Sequence, residues 1–197
     1  MFWGIVPRAL QGSGLHGYDR FPDQETDPMT TLSMHAASAP AFAKMLGNML
    51  NWLEAAKAHA EARKFPADNY LTLRLAPDML PFTKQIQIAS DAAKGCVARL
   101  AGQPVPSYED NEATLEELAE RIRKTRDFVL SVPAEAFEGS ETREITIPRR
   151  SGDPLKFDGS SYLRHFALPN FYFHATTTYA LLRHAGVPLG KGDYLGG

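Results

Sequence analysis

The apolar residues Phe42, Leu46, Met49, Leu53, Ala56 and Ala60 recur at alternating steps of four and three. On a helix of about 3.6 residues per turn that spacing forms one continuous stripe. It predicts a helix over residues 39–63, with Ser38 placed to cap it and Pro40 tolerated in its first turn. A second stripe, Phe82, Ile86, Ala89, Ala93, Cys96 and Leu100, predicts a helix over residues 80–101 that Gly102 closes. The small residues at its centre let a neighbouring helix come close. Thr114 and Glu117 stand at capping-box spacing ahead of Leu115, Leu118, Ile122, Thr125 and Val129, the stripe of a third helix that Pro133 ends. On its polar side Glu117–Arg121 and Glu120–Lys124 are expected as i,i+4 pairs. Between the first two helices a short turn is expected at residues 67–75, ended by Pro77.

Two short runs, 143–148 and 154–157, flank Ser151-Gly152-Asp153 and predict a small hairpin. A fourth helix is expected over residues 161–185, stopped by Gly186 and Pro188 and kinked or delayed by Pro169. Four long helices with short connections predict an all-α protein, an antiparallel four-helix bundle with a short hairpin before the last helix. Residues 1–28 show no sustained period and read as an irregular arm or as translation from an upstream start, leaving a bundle domain over 29–197. Gly12-Ser13-Gly14-Leu15-His16-Gly17 matches a dinucleotide-loop pattern but lacks the strand before it and the helix after it that give the pattern its chemistry.

The fourth helix carries the chemistry. At ideal helical spacing Phe166, Asn170, Phe173, Thr177, Ala180, Leu181 and His184 share a face, with His174 at its edge. Leu168, Tyr172, Ala175, Tyr179 and Leu182 form a second apolar face opposite. A helix apolar on both sides is either covered on both, here by the hairpin and the arm, or lends one side to a homodimer. Gln85 flanks the stripe of the second helix, while Gln87 and Asp91 are expected to point away from it. Gln85, Asn170 and His174 are therefore expected to meet near one end of the bundle, as a ligand site or as a hydrogen-bonded core network.

Of the remaining histidines, His35 is expected to lean over a bundle end, His59 to be solvated, His165 to be structural and His184 to complement the helix dipole. Composition narrows the class further. Among 197 residues, 21 basic and 23 acidic side chains give a net charge of -2, which leaves no footprint for nucleic acid or an anionic membrane surface. Without a run of about 18 apolar residues there is no predicted span, and the chain reads as cytoplasmic. A single cysteine, Cys96, excludes an internal disulfide and a multi-cysteine metal site; on its small-residue stripe it reads as packing. Neither a nucleophile elbow nor a metallopeptidase motif occurs in the sequence.

Leu75-Ala76-Pro77-Asp78-Met79, Gln85-Ile86-Gln87-Ile88-Ala89, the run from His165 through Pro169-Asn170 to His174, Leu182-Arg183-His184-Ala185-Gly186-Val187 and the tail Gly190-Lys191-Gly192-Asp193-Tyr194-Leu195-Gly196 resemble a domain-of-unknown-function family numbered nineteen ninety-three. The resemblance covers residues 31–196. That family is similar to the DinB/YfiT-like superfamily of four-helix bundles, described as metalloenzymes and commonly dimeric. Characterised relatives are transferases and isomerases that use low-molecular-weight thiols. Their usual site has one histidine on the second helix and an i,i+4 pair on the last, a geometry that can share one metal. The resemblance implies a small-molecule ligand, a homodimer through the fourth helix and a divalent metal (zinc, nickel or iron), with His174 as first ligand and Asp78 or a water completing the shell. The sequence departs from the pattern, since Asn170 stands where the first histidine of the pair would be and Gln85 is the best-placed polar group of helix two. One imidazole with two amides is a poor donor set for those metals. Two readings follow: an enzyme with His174, Asn170 and Gln85 around a small substrate, or a non-catalytic dimeric binding or stress-associated bundle.

Overall fold

The computed structural model describes residues 32–149 and 151–196; the arm over residues 1–28 and its glycine pattern lie outside them. Helix α1 spans Ala39–Arg63, α2 Phe82–Leu100 and α3 Leu115–Ser131. Strands β1 (Glu144–Ile147) and β2 (Leu155–Asp158) pair antiparallel, with Ile145 opposite Phe157. One helical run follows, made of α4 (Gly159–Tyr162), a π-turn (Leu163–Ala167) and α5 (Leu168–His184), and a short α6 (Lys191–Leu195) ends the description. The expected turn between the first helices is a single 3-10 segment, Ala67–Thr72.

The apolar stripes read from the sequence are the core. All six stripe residues of α2 are 0% exposed, and those of α1 and α3 are buried. The capping box at Thr114 forms in both directions: Thr114 Oγ1 accepts from the Glu117 amide and Glu117 Oε2 accepts from the Thr114 amide, both at 3.1 Å. Ser38 takes the N-cap position of α1 without capping it; its hydroxyl donates instead to the Met34 carbonyl at 2.6 Å. Helix α2 begins two residues later than expected because Pro81 is its extended N-cap residue and not part of its first turn.

Four helices form the bundle as expected, though not by short up-and-down turns. Lys57 of α1 meets Glu116 of α3, and Arg126 of α3 lies beside Gly47 of α1, so this pair is antiparallel. His174 of α5 meets Gln85 of α2, and Tyr162 meets Arg99, so that pair is antiparallel too. Helices α2 and α3 both start at the end marked by residues 68–71, where Leu115 N–H donates to Asp68 and the Thr83 hydroxyl donates to the Leu71 carbonyl. They are therefore parallel, and residues 101–114 must return the length of the bundle. Contacts along this return fix it: Lys84 pairs with Asp110 at 3.0 Å, and Gln87 Nε2 donates to Glu112 at 2.6 Å.

The last long helix departs most from expectation. Pro169 has no N–H and its ring collides with the carbonyl a turn earlier. The chain answers by widening at Leu163–Ala167 without breaking. A π-turn uses an extra residue per turn, so residues before and after it cannot be projected on one ideal helix. The buried residues of α5 are Phe171, His174, Ala175, Thr177, Thr178, Leu181 and Leu182, so Thr177 and Leu181 of the expected face are buried, whereas Phe173 is 56% exposed and His184 is exposed. The second apolar side is covered within the chain. Phe42 of α1 meets Phe171 edge-on at 4.8 Å, Trp52 meets Tyr179 at 5.5 Å, and Tyr194 of α6 stacks on Trp52. The hairpin covers the start of the run instead, with Phe157 5.5 Å from Phe166. Among the described residues no helix is long and apolar enough to cross a membrane.

Candidate functional site

Gln85 and His174 face each other across the α2–α5 contact, buried to 1% and 9% exposure. The Gln85 amide nitrogen donates to the Leu80 carbonyl at 2.8 Å, and its oxygen lies 2.7 Å from His174 Nδ1. A backbone carbonyl can only accept, so the amide nitrogen must face Leu80 and the oxygen must face the ring. The ring nitrogen opposite that oxygen must then carry the proton. This fixes the tautomer and leaves the lone pair of Nε2 unengaged. Burial pushes the His174 imidazole below its ordinary value, which keeps it neutral near pH 7. Phe173 edges the ring at 5.1 Å, and the His174 carbonyl accepts from the Thr178 hydroxyl at 2.9 Å, so ring and backbone are both held.

Asn170 sits one turn earlier on α5 and is half-buried. It shares no hydrogen bond with Gln85 or His174 among the described residues. It opens instead onto a cavity of about 150 Å³ between α2, the π-turn and β1, lined also by Asp91, Arg99, Ile147, Tyr162 and Phe166. The structure thus brings two of the three expected residues into contact and places the third one helical turn away, on the wall of a cavity that neither of the two lines. Asp78 is exposed in the turn ahead of α2.

The donor set does not fit a metal of the three-histidine kind. Gln85 spends its oxygen on His174 Nδ1 and its nitrogen on Leu80, which leaves His174 Nε2 as one isolated donor. Among the described residues no three His, Cys, Asp or Glu side chains come together. A single imidazole is too few anchors for zinc, nickel or iron.

Other expected roles change with the packing. Gln87, expected to point outward, is 1% exposed and bonded to Glu112. Arg121 does not pair with Glu117: it is 4% exposed and held by Asp91 at 2.8 Å, Asp110 at 3.0 Å and Glu112 at 2.8 Å, while Glu117 is taken by the cap. Glu120 meets Arg123 and not Lys124. His59 is half-buried and 2.6 Å from the Tyr70 hydroxyl, not solvated. His35 meets Phe137 edge-on at 5.1 Å, and His165 is exposed. Cys96 is buried and burial raises its thiol far above the ordinary range, so it packs and does not react. Sequence reasoning passed over Arg99 and Tyr162. Near the end of α2 an arginine reads as a dipole partner, but here it turns back to lie against Gly95, four residues earlier.

Residues 34–195 match a family described as a domain of unknown function, DUF1993. A solved structure of a DinB family member protein from Shewanella denitrificans is 40% identical, covers 83% of this chain and 92% of its own, and superposes with a TM-score of 0.77. No curated protein matches the chain. The family match spans nearly all described residues and the superposition is close, so the chain belongs to the DUF1993 family, with a DinB-like fold.

Proposed function

We propose that this protein handles a small molecule in the α2–α5 groove, with His174 Nε2 as a metal-free proton acceptor and Asn170 orienting the substrate. The observation that carries the reading is the 2.7 Å contact between Gln85 and His174, which fixes a neutral imidazole with its lone pair free. The reaction class in this reading is transfer or isomerisation dependent on a small thiol, which is what the resemblance to the DinB/YfiT-like superfamily implies. Nε2 would take the thiol proton while sulfur bonds to an electrophilic carbon and the leaving group departs with its electron pair. The second reading, binding without chemistry, is favoured by the two amides that stand where metal ligands would be expected.

The test follows free cysteine thiol reacting with a small haloarene, with and without the protein. His174→Gln should abolish acceleration while Asn170→Ala weakens it by about tenfold, the size of one lost orienting hydrogen bond. The rate should fall only below the ordinary histidine range, because burial depresses the imidazole. No acceleration by the wild type overturns the enzymatic reading and leaves the binding one.

Stability should carry the same signature. A histidine whose folded value is lowered binds its proton less readily than in the unfolded chain. Its contribution is whole above pH about 6.5 and is lost as pH falls through that value toward the folded one. The wild type should therefore lose melting temperature between pH 7 and 5 more steeply than His174→Gln; equal slopes overturn the buried-neutral assignment. A homodimer through the last helix, also expected from the kinship, would have to use the apolar side chains that α5 leaves exposed or half-buried, Phe173 and Tyr172. Light scattering at twice the chain mass that Tyr172→Glu halves supports it, and a wild-type monomer ends it.

A further inference from the structure

Asn170 lines the cavity of about 150 Å³, and Arg99 supplies its strongest unused charge. The arginine reaches it by lying back along its own helix. A methyl group at Gly95 would sit 2.5 Å from Arg99 Nη1, so glycine at that position makes the room. The guanidinium donates from Nη1 to the Tyr162 hydroxyl at 3.2 Å. Of the cations on α2, Lys84 pairs with Asp110 and Lys94 with Asp91, whereas Arg99 meets no carboxylate among the described residues. Asp91 shares the cavity wall, but its Oδ1 is held by both Lys94 and Arg121 at 2.8 Å, which compensates its charge. Burial, with the Cys96 thiol beside it, pushes the Tyr162 phenol up to about 12, leaving a neutral hydroxyl next to the guanidinium.

We propose that this cavity is an anion subsite, where the free N–H groups of Arg99 and the Asn170 amide bind the carboxylate of a small molecule. A planar guanidinium fork matches a carboxylate in two parallel hydrogen bonds. The volume sets the class of ligand. A pocket for a whole drug-sized molecule holds at least about 300 Å³, so this one takes only the acid end of a short chain. Phe166 supplies an apolar wall for the carbons next to the carboxylate. From Asn170 to His174 is one helical turn, about 6 Å along the axis. His174 lies outside the lining of this cavity, so its ring is not needed for the anion to bind. Binding at Arg99 goes beyond the reading of His174 as proton acceptor and does not require that reading to hold.

Titrating the isotope-labelled full chain with succinate, inorganic phosphate and uncharged succinamide tests it through backbone amide resonances. Succinate should give saturable shifts centred on Arg99, Phe166 and Asn170, and succinamide none. Arg99→Gln should weaken succinate at least about tenfold, as loss of a charge-assisted fork requires. Arg99→Lys should keep part of the binding, and Gly95→Ala, which leaves the arginine but crowds it, should also weaken it. Saturable succinate binding at Arg99 by a wild type that does not accelerate the thiol reaction overturns the base reading alone, so the two failures stay separate. The subsite is overturned if no anion saturates at millimolar concentration, if phosphate binds more tightly than succinate, or if well-folded Arg99→Gln binds succinate unchanged.

Discussion

Trp52→Ala should cost about 3–5 kcal/mol of stability, the range for removing a large aromatic side chain from a packed core. Trp52 is 0% exposed near the middle of α1. Its ring stacks on Tyr194 at 5.5 Å with 17° between planes, and Tyr179 meets it edge-on at 5.5 Å. Its Nε1–H donates to the Asp193 carbonyl at 3.0 Å, and one turn earlier Asn48 Nδ2 donates to the Tyr194 carbonyl at 2.9 Å. These two side chains hold α6 down, although α6 has five residues and little helical stability of its own. At about 2–4 °C per kcal/mol for a chain of this size, the melting temperature should fall by roughly 12 °C. Trp52→Phe should separate the contributions, since it keeps most of the ring burial and loses the donor, costing about 1–2 kcal/mol. Hydrogen exchange at residues 190–196 should accelerate in both variants. If Trp52→Ala lowers stability by less than about 2 kcal/mol, the aromatic cluster is not a core element but a loose cover.

Element positions were legible because their signals are local. The Thr114 box, Gly102, Gly186 and the four-three stripes each depend on a few neighbouring residues, and the helices form where those residues place them. The run from Gly159 to His184 was also legible as one helix, but its rotation was not. Pro169 signals a disturbance without saying whether the helix breaks, kinks or widens. Beyond the π-turn, Phe173 faces outward and His174 inward. The path of residues 101–114 left no periodic trace. It is extended and polar, and its course follows from partners distant in sequence, such as Lys84 with Asp110. The candidate site divides in the same way. Gln85 and His174 could be paired by turning two helices on one dial, whereas Arg99 needed the coordinates, because a long flexible side chain near a helix end can turn in several directions.

Arg121→Met should cost about 3 kcal/mol, the lower end of the range for orphaning a buried ion pair. The size follows from what the arginine leaves behind. Asp91 and Asp110 have side chains 47% and 44% exposed and keep Lys94 and Lys84, so water and a second cation compensate them. Glu112 is different: its side chain is 9% exposed, and without Arg121 it retains the Gln87 amide alone. Burial works to raise the Glu112 carboxyl, and the hydrogen bonds from Arg121 and Gln87 outweigh it and hold it below the ordinary value. A depressed carboxylate stabilises the fold above its unfolded value, and that share is lost as pH falls through the folded one. Arg121→Met should therefore flatten the loss of stability on the acid side of pH about 4. Adding Glu112→Gln removes the buried charge but keeps an acceptor for Gln87, so the double variant should be more stable than Arg121→Met alone. Additive losses would show that the two residues are not coupled. The consequence reaches the groove, because the Arg121 carboxylates lie on α2 and on the return strand beside it. Arg121 links the return of residues 101–114 to Asp91, one turn beyond Gln87 and on the wall shared with Asn170 and Arg99. A variant that loosens this link should weaken succinate binding at Arg99 as well as lower the melting temperature. Loss of stability with unchanged succinate affinity would confine Arg121 to holding the crossover.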